Sequence, residues 1–504
     1  MFKRLTLFGL ALFSLSACER QGLKTDDRLE RLVPVKNGEK VVEYRGVRYA
    51  EAPTGKNRWR PPIPVSEKEI LDEWPPACVQ GDGNVDWYKI VAKGVGANPN
   101  VIFDTPPTSE DCLFLNIWQP LSSDLSDLPV MVWIHGGGNV GGWAYEPNYI
   151  GAELASEGVI VVSIGYRLGV FGFLAHPQLS KESPHDSSGN YAILDQIEAL
   201  KWIQRNIDEY GGNPENITVF GESAGAGNIG YLLVSPLADD LFHKAIMQSG
   251  GWPIKLDRKL AENEAIGNKF TEDAGNSIAE LRNLSALELV EKADSFYKPG
   301  YNDPPIDRWL LPGSPRELHV RKGVPRRSVM LGTNEHENLM NYTSTTKFDW
   351  ARQLANYSEQ QKTQIERLLE EKNLNEKMDA LSTAEDFFCP TVLQANALLE
   401  GNSDVFMYRF AQERPNSKSL RAYHGAELPY VFDTHDEWLP TTSEDRAVSK
   451  EMKTAWINFA RSGNPGEDGD WPEWSADAKA MIFRYPSMIG ELDLKLCHAL
   501  AYDI

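Results

Sequence analysis

The stretch Ile217–Gly227, ITVFGESAGAG, narrows what this chain can fold into. β-formers run without a break into glycine and alanine, and one hydroxyl, Ser223, stands between Gly221 and Gly225. A strand that turns this sharply into a helix has no room for side chains at the two flanking positions. Glycine removes the collision and accepts the unusual dihedrals. Ser223 is then displayed at the carboxyl edge of a sheet, beside the first amides of the following helix, where the amides and the helix dipole favour an oxyanion. A serine displayed in this way needs a base, and no histidine lies near it in sequence.

The surrounding pattern supports the strand–turn–helix reading. Apolar β-rich runs recur at Val130–Ile134, Val159–Gly165, Ile217–Phe220, Lys244–Gly250, Ser328–Thr333 and Val405–Phe410. Their continuity, in place of alternation, predicts a sheet covered on both faces. Between them, Tyr191–Ile207 carries Leu194, Ile197, Leu200, Ile203 and Ile207 near one helical face. Alternating strands and helices predict an α/β fold with a mainly parallel central sheet and helices on both faces. Two charged helical segments, about 256–307 and 348–385, read as insertions that build walls around a cleft. No repeat or linker divides the chain, so residues 32–504 are expected to form a single catalytic domain.

Composition limits the partners. The formal net charge of −21 over 504 residues argues against nucleic acid, whose phosphates require clustered Lys and Arg. The first residues, MFKRLTLFGLALFSLSAC, place Lys3 and Arg4 before an apolar run too short to span a bilayer comfortably. They read as an export signal over 1–17, with a polar tether over 18–31. Leu15-Ser16-Ala17-Cys18 resembles a bacterial lipoprotein signal, which implies lipidation at Cys18, a membrane anchor and a place in the cell envelope; secretion is the outcome if that signal is not used. Four further cysteines, Cys78, Cys112, Cys389 and Cys497, suggest two disulfides in an exported chain, with three pairings open from spacing.

A second chemical signal lies upstream of the serine. WIHGGGN, Trp133–Asn139, follows an apolar strand, and its three glycines leave backbone N–H groups uncovered. Together with GVRYAEAPTGKNRWRPP (Gly46–Pro62), SEDCLFLNIW (Ser109–Trp118), YRLGVFGFL (Tyr166–Leu174), GNYAILDQ (Gly189–Gln196), GGNPENITVFGESAGA (Gly211–Ala226), HGAELPYVF (His424–Phe432) and WINFARSGNP (Trp456–Pro465), it resembles the type-B carboxylesterase and cholinesterase family of α/β-hydrolases. The match runs over nearly the whole chain after the signal.

That resemblance implies a serine ester hydrolase with a Ser-His-Glu triad and no cofactor or metal. It makes Ser223 the nucleophile and His424, which opens the HGAELPYVF stretch, the base. Spacing alone cannot choose among the nine histidines; His435 is the next candidate. The acid falls at Glu337 in GTNEHEN (Gly332–Asn338), where Asn338 replaces the family's glycine and Glu335 is the alternative. Oxyanion donors would be Gly137, Gly138 and Ala224. The same comparison pairs Cys78 with Cys112 and Cys389 with Cys497. Trp87, Trp143 and Trp252 are candidate aromatics of a substrate gorge, and Glu222 adds negative potential beside the nucleophile. A serine amidase on the same scaffold, or a non-catalytic binding protein of the same family, is the alternative to a small-molecule esterase. The physiological ester and the oligomeric state are not readable from the residues.

Overall fold

The computed structural model describes residues 31–504 except 72, 122–125, 294–302, 322–324, 435–437 and 467–469. The signal and lipidation readings at 1–17 and Cys18, the tether up to residue 30, and the alternative base His435 lie outside the described residues.

Strands β1 (Arg31–Pro34), β2 (Lys40–Arg48), β5 (Phe114–Pro120), β6 (Leu128–Ile134), β7 (Ile160–Ile164), β8 (Gly212–Glu222), β9 (Lys244–Gln248), β10 (Ser328–Asn334), β11 (Asp404–Phe410), β12 (Lys479–Phe483) and β13 (Met488–Glu491) form one sheet. Its order is β1-β2-β5-β7-β6-β8-β9-β10-β11-β12-β13. From β7 to β12 all neighbours are parallel; antiparallel strands close both ends. The short pair β3 (Ala77–Cys78) and β4 (Thr108–Ser109) stands apart.

Successive residues of a strand face opposite sides, so each central strand feeds two cores. Val132 and Val219 join the helix Tyr191–Asn206 on one side; Met131, Trp133 and Phe220 join the helix Ser443–Ser462 on the other. This is the mainly parallel α/β sheet covered on both faces that the continuous apolar runs predict, and it agrees with the α/β-hydrolase fold that the resemblance implies. The chain runs from β6 outward to β7 and returns to β8 on the other side of β6. Such a reversal opens a crevice at the carboxyl ends of the strands. The HGGG loop follows β6 and Ser223 follows β8, so both lie on that crevice.

The two charged segments are helical. The first forms Leu260–Ala274, Ile278–Asn283 and Ala286–Lys292; the second forms Lys347–Leu354, Glu359–Leu368 and Leu374–Thr383. Five of these six helices begin with a reciprocal capping box: Ser277 with Glu280, Ser285 with Glu288, Thr346 with Asp349, Ser358 with Gln361, and Asn373 with Glu376. Each satisfies two otherwise unpaired N–H groups without help from the rest of the protein. Disulfides join Cys78 to Cys112 and Cys389 to Cys497.

Candidate active site

Ser223 is the hinge between β8 and the helix Ala224–Leu232, with φ 53° and ψ −125°. A non-glycine residue at positive φ is strained and needs its surroundings to hold it. Its N–H donates to the Gln248 carbonyl at 2.8 Å and its carbonyl accepts from Gly227 N at 2.9 Å. Gly225 is required by packing: a Cβ there would collide with the Ile134 carbonyl at the end of β6. Gly137 is required by conformation, at φ 95°. Its carbonyl accepts from Val140 N and Gly141 N, both at 3.0 Å, which folds the glycine loop back on itself.

His424 and Glu337, the base and acid that the resemblance implies, lie side by side. His424 Nδ1 lies 2.7 Å from Glu337 Oε2. Glu337 is buried, and its other oxygen accepts from Ser249 Oγ and Asn334 N, each at 2.6 Å. Glu335 is exposed and is not the carboxylate on the imidazole. The other imidazole nitrogen, Nε2, stands 3.1 Å from Glu222 Oε1. Burial alone would lower the His424 imidazole, but Glu222 and Glu337, with Glu427 beyond them, outweigh it and lift the group to about 10. Burial is also the main reason that Glu222 rises to about 8, the neighbouring carboxylates Glu427, Glu337 and Glu146 adding to it and the imidazole opposing.

Ser223, Glu222, His424 and Gly136, Gly137 and Gly138 border one cavity of about 160 Å³. Trp87 lines it, as does Tyr88 from the same helix, Gly83–Gly94. Trp143 is not among the lining residues; it is buried with Ala77 and Val85, and its N–H donates to Glu146 Oε1 at 3.0 Å. Trp252 also stands off the cavity, packed against Phe387, whose ring tilts onto His424 with centroids 4.8 Å apart. Phe387 belongs to a single π-helical turn, Ala384–Phe388, just past the second charged segment.

Several site residues carry no motif and are not evident from sequence. Glu146 lines the cavity and accepts from Asn84 and Tyr88, each at 2.7 Å, and from Trp143 N. Burial raises its carboxyl to about 7. Ser249, read only as part of an apolar strand, has φ 53° and donates to Glu337. Glu222 pairs with Gln248 across β8 and β9, so the residues after each, Ser223 and Ser249, fall side by side at the sheet edge. Strand order, not composition, is the signal that finds it.

The residues 31–487 match the family model described as the carboxylesterase family. The chain belongs to the carboxylesterase family. It is 34% identical over 483 residues to the fumonisin B1 esterase of Sphingopyxis macrogoltabida, covering 88% of this chain and 83% of that protein. It is 31% identical to the para-nitrobenzyl esterase of Bacillus subtilis (strain 168), covering 88% and 91%. Among solved structures it is similar to the carboxylesterase EST55 of Geobacillus stearothermophilus, with a TM-score of 0.78, 28% identity and coverage of 94% and 97%. This carboxylesterase is a serine ester hydrolase acting on a small-molecule ester.

Proposed function

We propose that the carboxylesterase works through Ser223, His424 and Glu337, with an oxyanion hole made by the N–H groups of Gly137, Gly138 and Ala224. Ser223 Oγ attacks the ester carbonyl while His424 Nε2 takes its proton and then returns it to the leaving alkoxide. Glu337 holds the imidazole by Nδ1 and stabilises the cation that forms. Water, deprotonated by His424, then releases the acid from Ser223. Each oxyanion donor contributes about 3 kcal/mol to the transition state. The observation that carries this reading is the 2.7 Å contact between His424 and Glu337 at the edge of the cavity that exposes Ser223. Glu146 and Glu222 border that cavity and are raised to about 7 and about 8, so above that range esters bearing a carboxylate of their own are disfavoured against neutral esters of the same acyl chain.

Hydrolysis of short p-nitrophenyl esters, matched neutral and carboxylated, tests the reading. S223A is expected to abolish turnover, and E337Q to lower kcat about 100-fold or more, while E335Q stays within about twofold of wild type. Paired anilides should be cut far more slowly than the esters. Turnover that survives S223A overturns the assignment. We also propose that the enzyme is exported and lipid-anchored at Cys18. The signal pattern and two disulfides support this, and C18A should move the enzyme from the membrane to the soluble fraction; an unaltered distribution rejects the anchor.

A further inference from the structure

The oxyanion hole of the proposed mechanism is assembled from two pieces of chain. Gly137 and Gly138 lie on the loop after β6, whereas Ala224 opens the helix after β8. The parallel register of Ile134 with Gly221 aligns the strand ends, but the donors lie beyond those ends. Something must fix the loop relative to the helix, because a donor misplaced by about 1 Å can cost 100-fold in rate.

Two of the contacts that join them bear on the donors. One is the close backbone approach at Gly225, which rests against the Ile134 carbonyl. The other is a reciprocal pair of side-chain amides. Asn228 Nδ2 donates to Asn139 Oδ1 at 2.9 Å, and Asn139 Nδ2 donates to Asn228 Oδ1 at 3.3 Å. Asn139 directly follows the glycines; Asn228 lies three residues beyond Gly225, on the same face of its helix. Both side chains are buried, at 4% and 0% exposure. Asn139 takes φ 60°, a conformation that asparagine tolerates better than most residues, and its carbonyl accepts from Gly169 N at 2.7 Å. The loop is therefore held on either side of its donors.

Two buried amides are a poor choice for mere filling. Their hydrogen bonds replace bonds to water and yield little net stability, and an apolar pair of similar shape would pack as well. What the pair supplies is direction: two hydrogen bonds of defined length between the two halves of the hole. We infer that Asn139 and Asn228 are positioning residues that set the spacing between the Gly137/Gly138 and Ala224 donors, and so govern transition-state stabilisation without touching substrate. This rests on the oxyanion-hole assignment made above.

The test compares N139G, N228L and the double variant N139G/N228L. Each single change strands one buried amide and lowers Tm; the double change removes both amides and should recover most of that loss. If the pair positions the hole, kcat in the double variant stays about 10- to 100-fold below wild type, with KM within about twofold. Inhibition by a trifluoromethyl ketone, which places an oxyanion in the hole, weakens by the same factor, while binding of the matching alcohol, which has no carbonyl, is unchanged. Recovery of kcat together with Tm in the double variant, or unaltered trifluoromethyl ketone affinity, overturns the inference. Wild type and S223A run alongside: turnover surviving in S223A, or wild type indifferent to the ketone, would count against the nucleophile and oxyanion hole themselves, not the amide pair.

Discussion

Glu222 sits one residue before Ser223, the proposed nucleophile, and its Oε1 stands 3.1 Å from the nitrogen that the proposed mechanism needs free. His424 acts as a base only when neutral, and a carboxylate 3.1 Å from Nε2 favours the protonated ring. With the group lifted to about 10, the acid limb of the kcat/KM profile should lie alkaline of the ordinary imidazole value of about 6.5. E222Q removes one negative charge, so the imidazole loses its proton more readily and the limb moves toward lower pH, by about one unit or more. A profile of kcat/KM against pH for wild type and E222Q decides this; coincident limbs would mean that Glu222 does not tune the base. At this scale Ser223 and the glycine loop stand out from the residues themselves, because a tight turn and a run of glycines restrict residue choice sharply, whereas His424 and Glu337 are proposed from the resemblance to the family. The departure at Asn338 leaves Glu337 in contact with His424. Asn338 has φ −112°, where any residue is comfortable, and its N–H donates to Asp379 Oδ1 at 3.1 Å. The supports Glu146, Ser249 and Glu427 escaped notice because a buried polar residue looks like any other until its partners are known.

Between elements, the quoted family stretches turn out to be bonded to one another. Arg58 of the GVRYAEAPTGKNRWRPP stretch grips Glu110 of SEDCLFLNIW through two hydrogen bonds of 2.7 and 2.5 Å. Arg167 of YRLGVFGFL does the same with Asp195 of GNYAILDQ, at 2.8 and 2.6 Å, and adds its own N–H at 3.1 Å. The second pair is buried and pins the loop after β7 to the helix Tyr191–Asn206. D195A leaves a guanidinium without its counter-charge and should lower unfolding stability by about 3–5 kcal/mol, whereas R167M/D195L should recover most of it. Denaturant unfolding of the three proteins measures both values; equal losses in the single and double variants would contradict the account. Strand positions were legible because buried parallel strands must be apolar throughout. β8 begins at Gly212, five residues ahead of the apolar run at Ile217; Gly212 faces Leu128, the register then shifts, and pairing with β6 resumes where Ile217 faces Val130. Which charged residues pair is fixed only once the layers are stacked.

On the scale of the whole molecule, alternating strands and helices are enough to give the layered sheet, but not the strand order, which comes from the crossovers. The order then places the site: the reversal at β6 and β8 brings the glycine loop and Ser223 to one crevice. The charged segments were legible as helices and remain peripheral to the sheet. Phe270, Ile278, Leu281 and Leu289 of the first pack with Trp59, Phe171 and Leu174, and Trp350, Leu354, Ile365 and Leu381 of the second pack with Ala499, complementing the capping boxes that start the helices. Segments that finish their own hydrogen bonding are interchangeable parts. Natural drift or laboratory recombination can lengthen or trim one of them at its capped boundary, while the sheet beneath and the Ser223 cavity, which no described residue of either segment lines, keep their shape.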